Sequence, residues 1–132
     1  MSALGFVSPS GAADAKGFHP VARSSMHRRQ HDAGATFEER GGWLVPVSLP
    51  NEATWLDNVG VADISHLTKL EVRPAGEPAT GRAVTWYPLS QRRALCFCHT
   101  PEVSSVEEQL EGRLVIDVTG ALNALADRKS VV

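Results

Sequence analysis

Only two cysteines occur in the 132 residues, Cys96 and Cys98, one residue apart. That spacing supports no disulfide framework. No apolar run approaches the roughly 20 residues of a membrane-spanning helix. Met1 to Gly17 lacks the basic-then-apolar order of a secretion signal. These absences give the cytoplasm as the expected location and no membrane as an expected partner. The net charge is only −2. The one basic stretch, Lys16, Arg23, Arg28 and Arg29 with His19, His27 and His31, is short and has no interleaved aromatics beyond Phe18. It reads as a solvated helix face, and no nucleic-acid partner is expected. There is no internal repeat, and Gly76 and Gly81 flank no phosphate-loop pattern.

Metal chemistry is also poorly supplied. Cys96-x-Cys98-His99 on a strand puts the two thiols on one side and the imidazole on the other. Without a second ligand pair this makes no four-ligand zinc site. His27 and His31 are four apart on a candidate helix, but no His-Glu-x-x-His arrangement accompanies them. No metal ligand is assigned, and the cysteines are expected as small buried side chains.

What is present describes an ordinary globular chain, 42% hydrophobic, long enough to bury about two-thirds of its unfolded surface in one domain. Met1 to Gly17, rich in Gly, Ala and Ser, reads as a disordered tail. Ser24 or Ser25 is placed to cap a helix carrying Met26, Gln30 and Ala33 on one face, with Gly34 as its stop. Thr36 to Arg40 and Trp43 to Leu49 read as a hairpin across Gly41-Gly42. Pro46 marks the second strand as an edge or as broken there. Pro50 opens a short helix expected to reach Val59, with Gly60 as its stop.

Val61 to Ile64 follows as a short strand. Leu67 to Arg73 alternates like a half-buried strand, with Thr68, Leu70 and Val72 on its apolar side. After a turn-rich stretch, Ala83 to Leu89 and Arg92 to His99 form two more strands. Thr100-Pro101 starts a helix, Thr as cap and Pro in the first turn, whose apolar stripe is Val103, Val106 and Leu110. Gly112 ends it. Leu114 to Val118 is a strand interrupted by Asp117, and Ala121 to Ala126 begins another apolar segment. The order of elements makes the chain α+β.

Two segments carry more specific information: Gly42-Trp43-x-x-Pro46-Val47 and Gly60-x-x-Asp63-x-Ser65-His66-Leu67. With Ala33 to Phe37 before them, they resemble the opening of the glycine-cleavage T-protein family, the tetrahydrofolate-dependent aminomethyltransferases and their relatives. Trp86 to Leu95 and Val115 to Leu122, with its Asp117-x-Thr119 element, resemble the compact branch typified by the gamma subunit of heterotetrameric sarcosine oxidase. The resemblance implies the N-terminal part of a T-protein-like, ferredoxin-like folate-binding fold over residues 18–126. It implies tetrahydrofolate as cofactor of a complete member. A lipoyl carrier protein or flavoprotein oxidase subunits would then be the partners. The family commonly has Met after its His; Leu67 stands there and is the only cofactor-binding residue the resemblance assigns.

Physically, the Asp63 to His66 element reads as architecture. Asp and Ser side chains readily bond backbone groups at a tight junction, and spacing alone does not make Asp63 and His66 an acid–base pair. Trp43 is expected as a buried aromatic. The chain also departs from the family. Pro74 to Thr85 is short and holds one acid, Glu77, where family members carry an acid pair, so no catalytic residue is assigned. Asp127 to Val132 breaks the apolar pattern and matches the translation of a common sequencing-adapter read (GATCGGAAGAGCGTCGTG, then an in-frame stop). The expectation is a non-native tail on a truncated chain, inactive alone.

Overall fold

The structure, a computed structural model, describes residues 20–56 and 59–129. The expected tail at Met1 to Gly17, and Ser130 to Val132, lie outside the described residues. The chain forms two compact units, the first reaching Gly60 and including Lys129, the second Val61–Arg128. The architecture is α+β, as the element order implied.

In the first unit the Ser24 Oγ accepts the N–H of Met26 at 3.2 Å, and the Ser24 carbonyl accepts that of His27 at 3.1 Å. Helix α1 (His27–Asp32) follows, closed by Gly34 at φ 85°. Strands β2 (Thr36–Arg40) and β3 (Trp43–Ser48) form the expected hairpin, with Arg40 opposite Trp43. Gly41 and Gly42 adopt φ 56° and 80°, the positive pair that a two-residue turn matched to strand twist requires and that side chains resist. Of the two readings of Pro46, the break holds and the edge does not. β3 is the middle strand, because β1 (Ala22–Arg23) runs parallel to it. β1 reaches only Trp43 and Leu44, so at Pro46 β3 has a single neighbour. The ladder with β2 shifts there, with Phe37 opposite Pro46 but Thr36 opposite Ser48, a break where proline supplies no N–H. Val45 is the buried residue of this sheet, and Trp43 is only half-buried.

Helix α2 (Glu52–Leu56) opens after Asn51 at φ 62° and is shorter than expected. Val59 and Gly60, read as its end and stop, instead belong to β4 (Val59–Asp63). One helical turn has little stability of its own, and β4 gains a partner in β9 (Leu125–Lys129). β9 thus includes Asp127 to Lys129.

The second unit is built on a four-stranded antiparallel sheet of β5 (Thr68–Arg73), β6 (Thr85–Ser90), β7 (Arg93–Cys98) and β8 (Leu114–Asp117), in the order β6-β7-β5-β8. Leu70 sits opposite Cys96 and Val72 opposite Ala94. Leu70, Val72 and Cys96 join Val106 of helix α3 (Val103–Gln109) and Leu110 at its C-cap in a fully buried cluster, with Val84, Trp86, Val103 and Val115 at its margin. Pro101 lies in a 3-10 turn (Thr100–Glu102) leading into α3. Thr100 is inside that turn rather than capping it, since His99 precedes it as the extended residue.

β5 departs from the half-buried reading. It is flanked on both sides, and Thr68, Lys69, Leu70, Glu71 and Val72 are all buried. Asp117 ends β8 rather than interrupting it. A 3-10 turn, Thr119–Ala121, connects to β9. No helix among the described residues is long and apolar enough to cross a membrane.

Candidate functional site

The Asp63 to Leu67 segment is a tight turn between β4 and β5, held from three directions. Asp63 Oδ1 accepts the N–H of Ser65 at 3.0 Å, and the Ile64 carbonyl accepts the N–H of Leu67 at 3.0 Å. The buried Ser65 hydroxyl accepts the Ala124 N–H at 3.1 Å, while the Ile64 N–H reaches the Ala124 carbonyl at 2.9 Å. The segment before β9 is thereby stitched to the turn. Asp63 and Ser65 therefore act as architecture, as their residue types suggested. Leu67 is half-buried. His66 is half-buried too, its ring 6.5 Å from that of exposed His99.

Beneath the turn lies a residue that the sequence reading placed on the outer side of a strand. Lys69 is fully buried. Its Nζ donates to the Ser65 carbonyl at 2.7 Å and to the Leu67 carbonyl at 3.0 Å, and sits 5.8 Å from the centre of the Phe97 ring. Burial pulls the Lys69 pKa below its ordinary value, and the carboxylates of Asp63 and Asp117 pull it partly back. The Lys69 backbone N–H donates to Thr119 Oγ1 at 2.9 Å, and Asp117 Oδ1 accepts the Thr119 N–H at 2.9 Å. The Asp117-x-Thr119 element thus docks on β5 at Lys69. The contacts of Lys69 come from segments four residues before it and fifty residues after it, and alternation along the strand gave no signal for them.

On the same sheet face, two and four residues along β5, the Glu71 carboxylate lies between two arginines. Arg73 Nε donates to Oε1 at 2.6 Å and Arg93 Nη2 to Oε2 at 2.8 Å. The Arg93 and Arg73 hydrogen bonds, in that order, hold the Glu71 carboxyl below the usual carboxylate range. Both arginines are about half-exposed, so this is a modest surface triplet rather than a source of much stability.

The loop after β5 holds the lone acid noted in the sequence, and Glu77 is exposed. Arg113 braces this loop, its Nη1 donating to the carbonyls of Ala75 and Glu77 at 2.6 and 2.8 Å. At Gly76, φ 55°, a side-chain carbon would fall 2.8 Å from the Arg113 guanidinium carbon, so glycine is what lets the arginine pass.

Among the described residues no group of three or more metal-binding side chains occurs. Cys96 and Cys98 are free and fully buried on the core face. Burial pushes the Cys96 thiol up to about 11 and the Cys98 thiol in the same direction. Both are expected to resist iodoacetamide at about pH 8, where the thiolate is the reacting form, and to react once urea unfolds the chain. A raised thiol pKa favours the folded state only while the unfolded thiol stays protonated. Stability is therefore expected to fall as pH rises from 9.0 toward about 11, and less steeply in Cys96→Ala. Urea midpoints measured across that range check it.

Fold and turn together define an α+β, T-protein-like segment, and comparison with known proteins bears this out. The Mycobacterium avium aminomethyltransferase is 44% identical over 55 residues, 39% of this chain and 15% of that protein. A probable aminomethyltransferase of Halobacterium salinarum is 38% identical over 53 residues, 37% of this chain and 15% of that one. By fold, the glycine cleavage system aminomethyltransferase T of Bartonella henselae matches with a TM-score of 0.57 at 16% identity, over 75% of this chain and 38% of that structure. No family model matches. The chain is T-protein-like in sequence over its matched segment and in fold over three-quarters of its length. The matched segment spans about a sixth of the curated relatives.

Proposed function

We propose that this chain supplies the first folate-facing part of an aminomethyltransferase-like protein acting in one-carbon transfer from glycine or sarcosine, and that it is not catalytically competent alone. In a complete protein of this kind tetrahydrofolate would accept a one-carbon unit, with the protein mainly positioning the two reactants. The observation that carries the reading is the Asp63 to Leu67 turn, found in a T-protein-like fold. It is tied by hydrogen bonds within itself and to Ala124, and leaves Leu67 half-buried at its end. Leu67 would form an apolar wall against the pterin, doing the work of the family's usual Met at similar volume.

On this reading the isolated chain binds tetrahydrofolate weakly or not at all, because Glu77 is a lone, exposed acid in a braced loop. Calorimetry is expected to show no low-micromolar binding; such binding would overturn the incompetence. Folate-facing is tested by grafting residues 60–73 into an active T-protein at its Gly-x-x-Asp-x-Ser-His element. The graft is expected to retain aminomethyl transfer, and Leu67→Asp within it to raise KM for tetrahydrofolate at least about tenfold, the loss of one apolar wall to a charge. A folded, active graft indifferent to Leu67→Asp would remove Leu67 from the site.

The Pro74 to Thr85 loop favours a second reading, in which the chain belongs to a non-catalytic gamma-type subunit of a sarcosine oxidase-like complex. Its partners would be flavoprotein oxidase subunits, whereas the first reading requires a lipoyl carrier protein or an imine-forming flavoprotein. Co-purification with a lipoyl carrier protein would support the first; flavoprotein subunits co-purifying in a complex that binds no tetrahydrofolate would support the second.

A further inference from the structure

The four-stranded sheet has two outer edges, and they differ. On β6, Pro88 removes a donor and the register shifts between Pro88 and Ser90, the devices that blunt an edge against pairing. On β8, Leu114-Val115-Ile116-Asp117 holds neither proline nor lysine, and its outer side pairs with no strand among the described residues. Leu114 and Ile116 are 56% and 39% exposed.

The ladder shows which groups that edge offers. The Val118 N–H donates to the Lys69 carbonyl at 2.8 Å, and the register continues with Leu70 opposite Asp117, Glu71 opposite Ile116, Val72 opposite Val115 and Arg73 opposite Leu114. Bonded and non-bonded pairs alternate in an antiparallel ladder. Val118, Ile116 and Leu114 therefore turn their backbone groups toward β5. Val115 and Asp117 turn theirs outward.

We propose that the outer edge of β8 pairs antiparallel with β8 of a second copy of this chain, about a two-fold axis at Val115. In that register the two Val115 residues exchange N–H to carbonyl bonds. The Asp117 N–H meets the Arg113 carbonyl of the second copy, and the reverse. Leu114 falls opposite Ile116 of the second copy on the open sheet face, where cross-strand apolar pairs stabilise a sheet. Arg113 falls opposite Asp117 of the second copy, so the strand ends are complementary in charge. An axis at Ile116 would use the same outward groups, pairing Val115 with Asp117 of the second copy, but would set Arg113 opposite Thr119 and lose the charge pairing. The charge match and the outward-turned groups select the second copy as occupant, and an isologous two-fold contact closes without forming fibres.

The test is sedimentation of the full chain from micromolar to sub-millimolar concentration. A reversible dimer is expected. Leu114→Lys/Ile116→Lys should weaken it at least about tenfold, since like charges then face each other across the axis. Leu114→Glu/Ile116→Glu should do the same, and an equimolar mixture of the two variants should dimerise again. Leu89→Lys, at the opposite edge, should change nothing. Hydrogen exchange needs no variant: the Val115 and Asp117 amides should gain protection as concentration rises. A chain monomeric throughout, a mixture that fails to associate from folded variants, or exchange at those amides independent of concentration would overturn the proposal. So would a longer gene product whose own following segment protects them at every concentration.

Discussion

Leu70→Ala is expected to lower the unfolding free energy by about 3 kcal/mol, within the range for a buried leucine whose cavity cannot collapse. Leu70 is 1% exposed at the centre of β5, an inner strand. Its neighbours Cys96, Val106 and Leu110 are themselves fully buried. β-sheet neighbours on both sides fix the backbone, so little relaxation is available to fill the space. Trp43→Ala is expected to cost less. Trp43 is half-buried on a small sheet whose buried side chain is Val45, and truncating a residue still in contact with water forfeits less transfer free energy. Urea denaturation with a common slope for parent and variants measures both. A Leu70→Ala chain within about 1 kcal/mol of the parent would be an ordinary surface effect, and would show that the β5–α3 core does not hold the second unit together. A larger loss for Trp43→Ala than for Leu70→Ala would show that the tryptophan counts as the buried aromatic its sequence context suggested.

That reversal shows what the sequence could and could not express. Turn chemistry was legible because it is local. Gly41-Gly42 demanded a hairpin and formed one, and Gly34 stopped its helix. The apolar side of β5 and the Val106–Leu110 stripe of α3 were legible because each follows a simple period and each reached the core. Strand neighbours are not local. Pro46 marked its strand as an edge or as broken there; the break is present, yet β3 is central at its start because a two-residue strand from before the first helix lies beside it.

The same limit hid Lys69. Alternation alone put it with Glu71 on a polar side, and nothing nearby in sequence says that Ser65, Leu67 and Thr119 converge on it. In the candidate site, Asp63 and Ser65 were legible as turn architecture. Their tie to Ala124, fifty-nine residues on from Ser65, was not. A short motif therefore located the turn, while the cation and the second segment that hold it came only from the fold.

Lys69→Met is expected to destabilise the second unit by about 2–3 kcal/mol. Methionine matches the length of the aliphatic stem but leaves the Ser65 and Leu67 carbonyls without the ammonium donors that satisfy them at 2.7 and 3.0 Å. Unsatisfied buried acceptors cost about 1–3 kcal/mol each. It also removes the positive charge toward which Asp63 and Asp117 act. Opposing this, burying an apolar side chain avoids the desolvation of an ammonium, and such exchanges are sometimes neutral when both partners of a pair are replaced. Here only one partner is replaced and the carbonyls stay, so the loss should win.

The pH dependence separates the two effects. Burial lowers the Lys69 pKa in the folded chain. Between that lowered value and 10.5 the unfolded chain holds more protons, so this residue adds stability as pH rises. The neutral amine still has donors for both carbonyls. The gap between parent and Lys69→Met is therefore expected to widen with alkaline pH, on top of the loss that the cysteines impose on both. Faster exchange of the Leu67 amide in the variant would place the damage in the turn itself. An unchanged urea midpoint, an unchanged Leu67 exchange rate and a pH-independent gap would together show that the buried lysine fills space beneath the turn without holding it.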